Sequence, residues 1–200
     1  MIRTNKPEPI SLSWGYPDLK NFPVKEFVEI CQGLKIKDPQ SYLQYEPTLG
    51  FKKFREFIAK NQIGNFGKIS SENVLITSGA TFSIFLVAFF FRYILGYKNI
   101  GVIEPCYDTS LEIFKILNFK IIDLNPYISG KAKRPIINCL YLMPRFSNPT
   151  GQVLTGESRS KIEKLISQNK VYAIEDDVYH HLNYSYKSKQ FNKYIKPSSL

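Results

Sequence analysis

Residues 100–124 read IGVIEPCYDTSLEIFKILNFKIIDL. The apolar run IGVI ends at Glu104-Pro105, a helix is expected over residues 109–117, and residues 119–124 return to an isoleucine-rich strand. Parallel neighbours need such a crossover, and the crossover helix covers the sheet, so the strands read as nearly continuous apolar runs. The rhythm repeats downstream: a strand at 140–143, a helix over 157–168 with Ile162, Leu165 and Ile166 on one face, and the apolar strand 171–174. Upstream, residues 74–77 form a short β-branched strand leading into a long helix from residue 80. The fold class is α/β, a mainly parallel sheet sandwiched by helices. Residues 125–135, with two prolines and a glycine, read as a loop; residues 24–34 and 51–60 carry the three- and four-residue apolar spacing of amphipathic helices. No internal repeat is visible. The expected organisation is an N-terminal segment with helices over 1–70, the α/β body over 71–182 and a polar, basic tail over 183–200.

Of the 200 residues, 44% are hydrophobic and 14% aromatic, enough to bury a sizeable core and too many for a disordered tail or a coiled coil. The 27 basic against 17 acidic side chains give a formal charge of +10 and raise the question of nucleic acid. The basic residues are spread through the chain, and their densest stretches, 131–145 and 187–196, read as loop and tail, so no nucleic-acid partner is expected. Cys31, Cys106 and Cys139 stand apart, which excludes a CxxC pair or a zinc knuckle and points to a reducing compartment. Residues 1–9 carry Arg3 and Lys6 but no apolar run of the kind a secretory signal needs, so a cytoplasmic location is expected. The apolar stretch 80–97 is interrupted by Arg92 and falls short of the ~20 residues that span a bilayer; it reads as a buried helix, with no membrane partner.

In a sheet of this kind ligands bind beyond the carboxyl ends of the strands. Four such ends are specific. Thr77-Ser78-Gly79-Ala80-Thr81 leads into a helix N-terminus, where open N–H groups and hydroxyls suit a phosphate; it also reads as a small-residue turn with a helix cap. Glu104-Pro105-Cys106-Tyr107-Asp108 sets an aromatic ring after a strand, to face a planar ligand or simply to pack. Arg145-Phe146-Ser147-Asn148-Pro149-Thr150-Gly151 holds the Asn148 amide outward, or is a plain β-turn. Glu175-Asp176-Asp177-Val178-Tyr179 puts a carboxylate at the end of a central, buried strand. That carboxylate needs a partner: a ligand cation that Asp176 keeps protonated, or a helix start capped by Asp176 or Asp177.

Together, a phosphate cradle, a stacking ring, an amide and a carboxylate with a tyrosine three residues on complement one aromatic phosphorylated cofactor, pyridoxal 5'-phosphate. In these residues the chain resembles the fold-type I pyridoxal-phosphate-dependent aminotransferases of class I/II. Within them it is similar to the branch of 2-aminoadipate and aromatic aminotransferases and the aminotransferase-like domains of GntR/MocR regulators. The resemblance begins at residues 10–18 (ISLSWGYPD) and Phe22-Pro23, continues through 43–50 (LQYEPTLG) and Phe54-Arg55-Glu56, and reaches Tyr179 with NPTG and DDVY in order. It implies that residues 71–182 are part of the cofactor-binding large domain. It also implies that Gly79, Ala80 and Thr81 bind the cofactor phosphate and that Tyr45 reaches the phosphate in a neighbouring subunit, which requires a homodimer. Tyr107 stacks on the ring, Asn148 and Tyr179 bond its 3'-oxygen, Asp176 pairs with the protonated ring nitrogen, and Gly15 lies beside the substrate.

The resemblance further implies a Schiff-base lysine in a Ser-x-Ser-Lys segment on a later strand, a phosphate-binding arginine after it, and a small C-terminal domain with an arginine for the substrate carboxylate. The sequence reaches Leu200 first, and Lys187, Lys189, Lys193 and Lys196 lie in the polar tail, so no catalytic residue is assigned and no metal is expected. The expected function is amino transfer between an amino acid and a 2-oxo acid, once a complementing C-terminal piece supplies the rest. The alternative is a catalytically silent module that binds pyridoxal phosphate noncovalently or binds a partner. A third reading is a remnant with uncovered apolar surface. A MocR-type regulator fits less well, as no winged-helix segment precedes Ile10.

Overall fold

The computed structural model describes residues 15–33, 44–61, 69–179 and 182. Residues 10–14, Leu34, Leu43 and the basic tail with its four lysines lie outside them. The chain divides into two units, residues 1–45 and 46–200. In the first, the Asp18 carboxylate accepts from the Lys20 N–H (3.0 Å) and caps a 3-10 turn, Leu19–Asn21, ahead of α1 (Val24–Gly33). α1 has the amphipathic pattern read from its sequence, and its residues are exposed.

The second unit opens with α2 (Lys52–Asn61), anchored by the buried Arg55, which donates to the Gly50 and Ser71 carbonyls and to Glu72. The α/β body follows as α3 (Ala80–Phe89) with a π-helical turn at Phe90–Ile94, β1 (Asn99–Val102), α4 (Asp108–Ile116), β2 (Lys120–Asp123), α5 (Asn125–Ile128), β3 (Cys139–Leu142), α6 (Gly156–Asn169) and β4 (Tyr172–Glu175). All the strands are parallel, in the order β2-β1-β3-β4.

Successive side chains of a strand point to opposite faces, and here that alternation divides the core in two. Ile100, Val102, Cys139, Tyr141 and Ile174 pack with α3 and α4; Leu140, Leu142 and Ala173 pack with α5 and α6. Gly101 falls on the second face, where an added Cβ would lie 2.8 Å from Ile137 Cδ1 and 3.1 Å from both Leu124 methyls. Glycine is needed there for close approach. The same parity carries Asp176, two residues beyond Ile174, to the α3/α4 side.

Four expectations need correction. The strand before Asp176, expected to be central and buried, is β4 at the edge of the described sheet, with Tyr172 exposed, because its second ladder neighbour is not among the described residues. Residues 74–77 take no place in the sheet: the Ile76 N–H bonds the Leu49 carbonyl (3.0 Å), and β-branched residues without a neighbouring ladder do not make a strand. Within 125–135, residues 125–128 form α5, started by a proline in the first turn, where a missing N–H costs nothing. The helix over 80–97 is buried on one side only: Ile84, Ala88 and Phe91 are covered, while Phe82, Phe89, Phe90 and Tyr93 are exposed. It is apolar all round, so periodicity could not tell which side meets the core. Among the described residues no helix is long and apolar enough to cross a membrane.

The loops that follow β3 and β4 are tied together by a bidentate ion pair: Arg145 Nε donates to Asp177 Oδ1 (2.8 Å) and Arg145 Nη2 to Asp177 Oδ2. Arg145 is buried, so this pair is little screened by water. Gly101→Ala is expected to lower stability by about 1–3 kcal/mol through overpacking, read as a lower urea midpoint with an unchanged m-value. Arg145→Met keeps the reach and removes the donors; about 2–3 kcal/mol is the expected loss in the same titration, and an unchanged midpoint would show that the two loops are held by something else.

Candidate functional site

Gly79, with φ +90°, turns the chain into α3, and no side chain caps that helix. Beneath the turn, Thr77 Oγ1 and Ser83 Oγ lie 2.6 Å apart and both reach the Gly79 carbonyl, at 3.3 and 3.2 Å. The Ser83 N–H bonds the same oxygen at 3.2 Å. A trans peptide is planar, so fixing the Gly79 C=O toward the helix body aims the Ala80 N–H the opposite way, off the helix end. The N–H groups of the first turn have no intrahelical acceptors, and the dipole gives them positive potential. Thr81 faces across to β1's end: its hydroxyl lies 3.3 Å from the Tyr107 hydroxyl.

Tyr107 starts α4 and is half-buried against the α3/α4 core, as is Tyr179. Its carbonyl accepts the Ser110 hydroxyl at 2.5 Å. Asn148 sits in a loop closed by Gly151 N–H to Ser147 C=O (2.6 Å) and Ser147 N–H to Gln152 C=O (2.9 Å), with Gly151 at φ +68°.

Asp176 is 7% exposed. Its N–H continues the ladder by bonding the Leu142 carbonyl (2.9 Å), extending β4 by a residue's reach, and neither side-chain oxygen accepts from a helix-end N–H among the described residues. Oδ2 accepts from the Tyr141 hydroxyl at 2.8 Å; Oδ1, out of contact with water, has no hydrogen-bond partner among the described residues. Burial first, then the charge of Asp176, push the Tyr141 phenol far above its ordinary value, so it remains a donor. A cleft of about 500 Å³ between α3 and the end of β4 is lined by Ala80 and Ser83 on one side and Ile174, Asp176 and Asp177 on the other. An uncapped helix start and a half-satisfied buried carboxylate therefore share one concavity. That pairing accepts a ligand with an anion at one end and a hydrogen-bond donor at the other.

The structure thus brings Ala80, Thr81, Tyr107 and Asp176 to one edge of the sheet, with Gly79 behind the helix start, but of these only Ala80 and Asp176 line the cleft. Asn148 and Tyr179 stand at the same edge, three residues beyond Arg145 and Asp176 respectively, and neither lines the cleft. Tyr45 and Gly15 belong to the other unit, where Tyr45 is fully exposed and Gly15 has φ +53°. Sequence reading missed Tyr141, which passes for core in an apolar strand, and Arg145, which was counted with a basic loop. The pattern did hold a clue: a tyrosine hydroxyl in a buried strand needs a partner. Other chemistry finds little support here. Burial pushes the Cys106 thiol up to about 11 and the Cys139 thiol up to about 12, so neither is a thiolate at neutral pH. Among the described residues no cluster of His, Cys, Asp and Glu could hold a metal ion.

Comparison with known proteins shows the family. The family described as aminotransferase class I and II matches residues 7–195. The HTH-type transcriptional regulator NorG of Staphylococcus aureus (strain N315) is 32% identical over 161 residues, covering 76% of this chain and 36% of that protein. The 2-aminoadipate transaminase of Thermus thermophilus is 28% identical over 190 residues, covering 90% of this chain and 45% of the enzyme. Among solved structures, LysN, the α-aminoadipate aminotransferase of Thermus thermophilus complexed with N-(5'-phosphopyridoxyl)-L-leucine, superposes with a TM-score of 0.65 at 25% identity, over 82% of this chain and 42% of that one. The chain spans less than half the length of these relatives. The family match over residues 7–195, together with the parallel α/β fold, shows that the chain belongs to the class I and II aminotransferase family.

Proposed function

We propose that the chain is the pyridoxal 5'-phosphate-binding part of a cytoplasmic aminotransferase that moves an amino group between an amino acid and a 2-oxo acid. The observation that carries this reading is Asp176, which lines the cleft beside the start of α3 and whose Oδ1 is held out of water with no partner among the described residues. Such an atom is costly unless a donor meets it. A protonated pyridine nitrogen is such a donor, and the phosphate on the same small molecule suits the N–H groups of α3, so the residues present fit the cofactor.

Each residue then has a task. The N–H groups after Gly79, with the Thr81 hydroxyl, bind the phosphate, and Tyr107 lies on the ring. Asp176 keeps the proton on the ring nitrogen, while Asn148 and Tyr179 orient the ring through its 3'-oxygen. Bound pyridoxal 5'-phosphate supplies an electron-poor ring that draws off the electron pair left when a substrate Cα–H bond breaks, and its positive charge depends on Asp176. Tyr45 serves the site of a neighbouring subunit, and Gly15 leaves room for the substrate. The lysine and the carboxylate-binding arginine come from the rest of the assembly, as a complementing piece or as further chain.

Calorimetric titration of pyridoxal 5'-phosphate into the purified chain is expected to show saturable one-to-one binding. Asp176→Ala removes a charge-assisted hydrogen bond of about 1.5–3 kcal/mol and should weaken binding roughly 10- to 100-fold. Equal affinity in the variant, or no binding by the wild type, would overturn the reading. Amino transfer should appear only when the lysine-bearing part is supplied; binding that persists without turnover in the completed assembly identifies a silent module instead.

A further inference from the structure

Tyr141 is fully buried in the middle of β3, pairs in register with Ile174, and reaches two residues along β4 to bond Asp176. Its ring packs edge-on against Phe114, with centroids 5.5 Å apart. Phenylalanine would fill this place equally well and would bring no hydroxyl to satisfy. The fully buried Ser110 hydroxyl lies beside the phenol and donates to the carbonyl of Tyr107.

Resting on the function proposed above, we propose that Tyr141 is a positioning residue for the cofactor: it holds Asp176 Oδ2 so that Oδ1 is the carboxylate's one free acceptor, turned to the ring nitrogen. A carboxylate rotates readily about its last bond, whose torsion is broad and nearly two-fold. One donor on one oxygen fixes that rotation. With Oδ2 engaged, a ligand donor meets a single, oriented acceptor and the carboxylate loses little freedom on binding, which is preorganisation in the ordinary sense. Without the hydroxyl, both oxygens lack a donor among the described residues, and the carboxylate turns to whatever water or backbone group it can reach.

The test compares two ligands, pyridoxal 5'-phosphate and its analogue with the ring nitrogen replaced by C–H, on the wild-type chain, Tyr141→Phe, Asp176→Ala and the double variant, by calorimetry. Tyr141→Phe is expected to weaken pyridoxal 5'-phosphate about three- to tenfold, the worth of one hydrogen bond, and to leave the analogue unchanged. In the Asp176→Ala background the same change should add nothing. Equal losses for both ligands mean that Tyr141 only supports packing, and no loss, or a loss that adds to that of Asp176→Ala, also overturns the proposal. An Asp176→Ala chain that binds both ligands as the wild type does sinks the cofactor reading, and the inference falls with it. Should Tyr141→Phe fail to fold, the wild type still decides: the exchange-protected Tyr141 hydroxyl proton resonance must move when pyridoxal 5'-phosphate binds and stay in place with the analogue. A resonance indifferent to both, or moved equally by both, rules the proposal out.

Discussion

Asp176 is buried although it stands at the end of β4, the edge strand of the described sheet, and a carboxylate held out of water is either paired or held ready for something else. Asp176 is both. One oxygen is bonded to Tyr141 and the other has no partner among the described residues, and the alternation of β3 and β4 puts the two side chains on the α3/α4 face. The cleft runs between α3 and the edge of β4, lined by residues of both parities of that strand, and Ala80 at the start of α3 and Asp176 at the end of β4 both border it.

The loops after β3 and β4 are held to this plan by charge. Arg145 and Asp177 stand 32 residues apart in the chain and meet only because the strands before them are paired in register, Leu142 opposite Glu175. The pair brings the Asn148 loop and the segment from Asp176 to Tyr179 under one restraint, something neither loop's own turn bonds could do. Buried ion pairs of this kind contribute more to geometry than to stability, because much of their Coulomb energy offsets desolvation.

What the sequence made readable was what depends on local chemistry. The βαβ rhythm from residue 100 onward appears in place, with ends moved by a residue or two, because apolar strands and amphipathic helices carry their own periodicity. Residues 74–77 failed as a strand since ladder partners come from elsewhere in the fold, and no propensity supplies them. The buried side of the helix after residue 80 was illegible for the opposite reason: with apolar residues all round, there was no stripe to read. At the site, Asp176 stood out as a charge in an apolar strand. Tyr141 did not, because its function lies in one atom at the end of a ring that otherwise packs like its neighbours.

Binding and catalysis separate along the same line. The phosphate side of the cleft rests on a helix start stapled by Thr77 and Ser83, and the ring-nitrogen side on a hydrogen bond inside a packed core. Both are built from elements within residues 46–200, and their geometry is set by local hydroxyl bonds and strand parity. The exposed face of α3, with Phe82, Phe89 and Tyr93, bears on neither. On the reading proposed above, recognition of the cofactor's two polar ends belongs to this part of the architecture, and proton transfer at the substrate is a separate task. On the same reading, the lysine and arginine supplied by the rest of the assembly would add to overall affinity, while the preference for a ring nitrogen over C–H stays as Asp176 and Tyr141 set it.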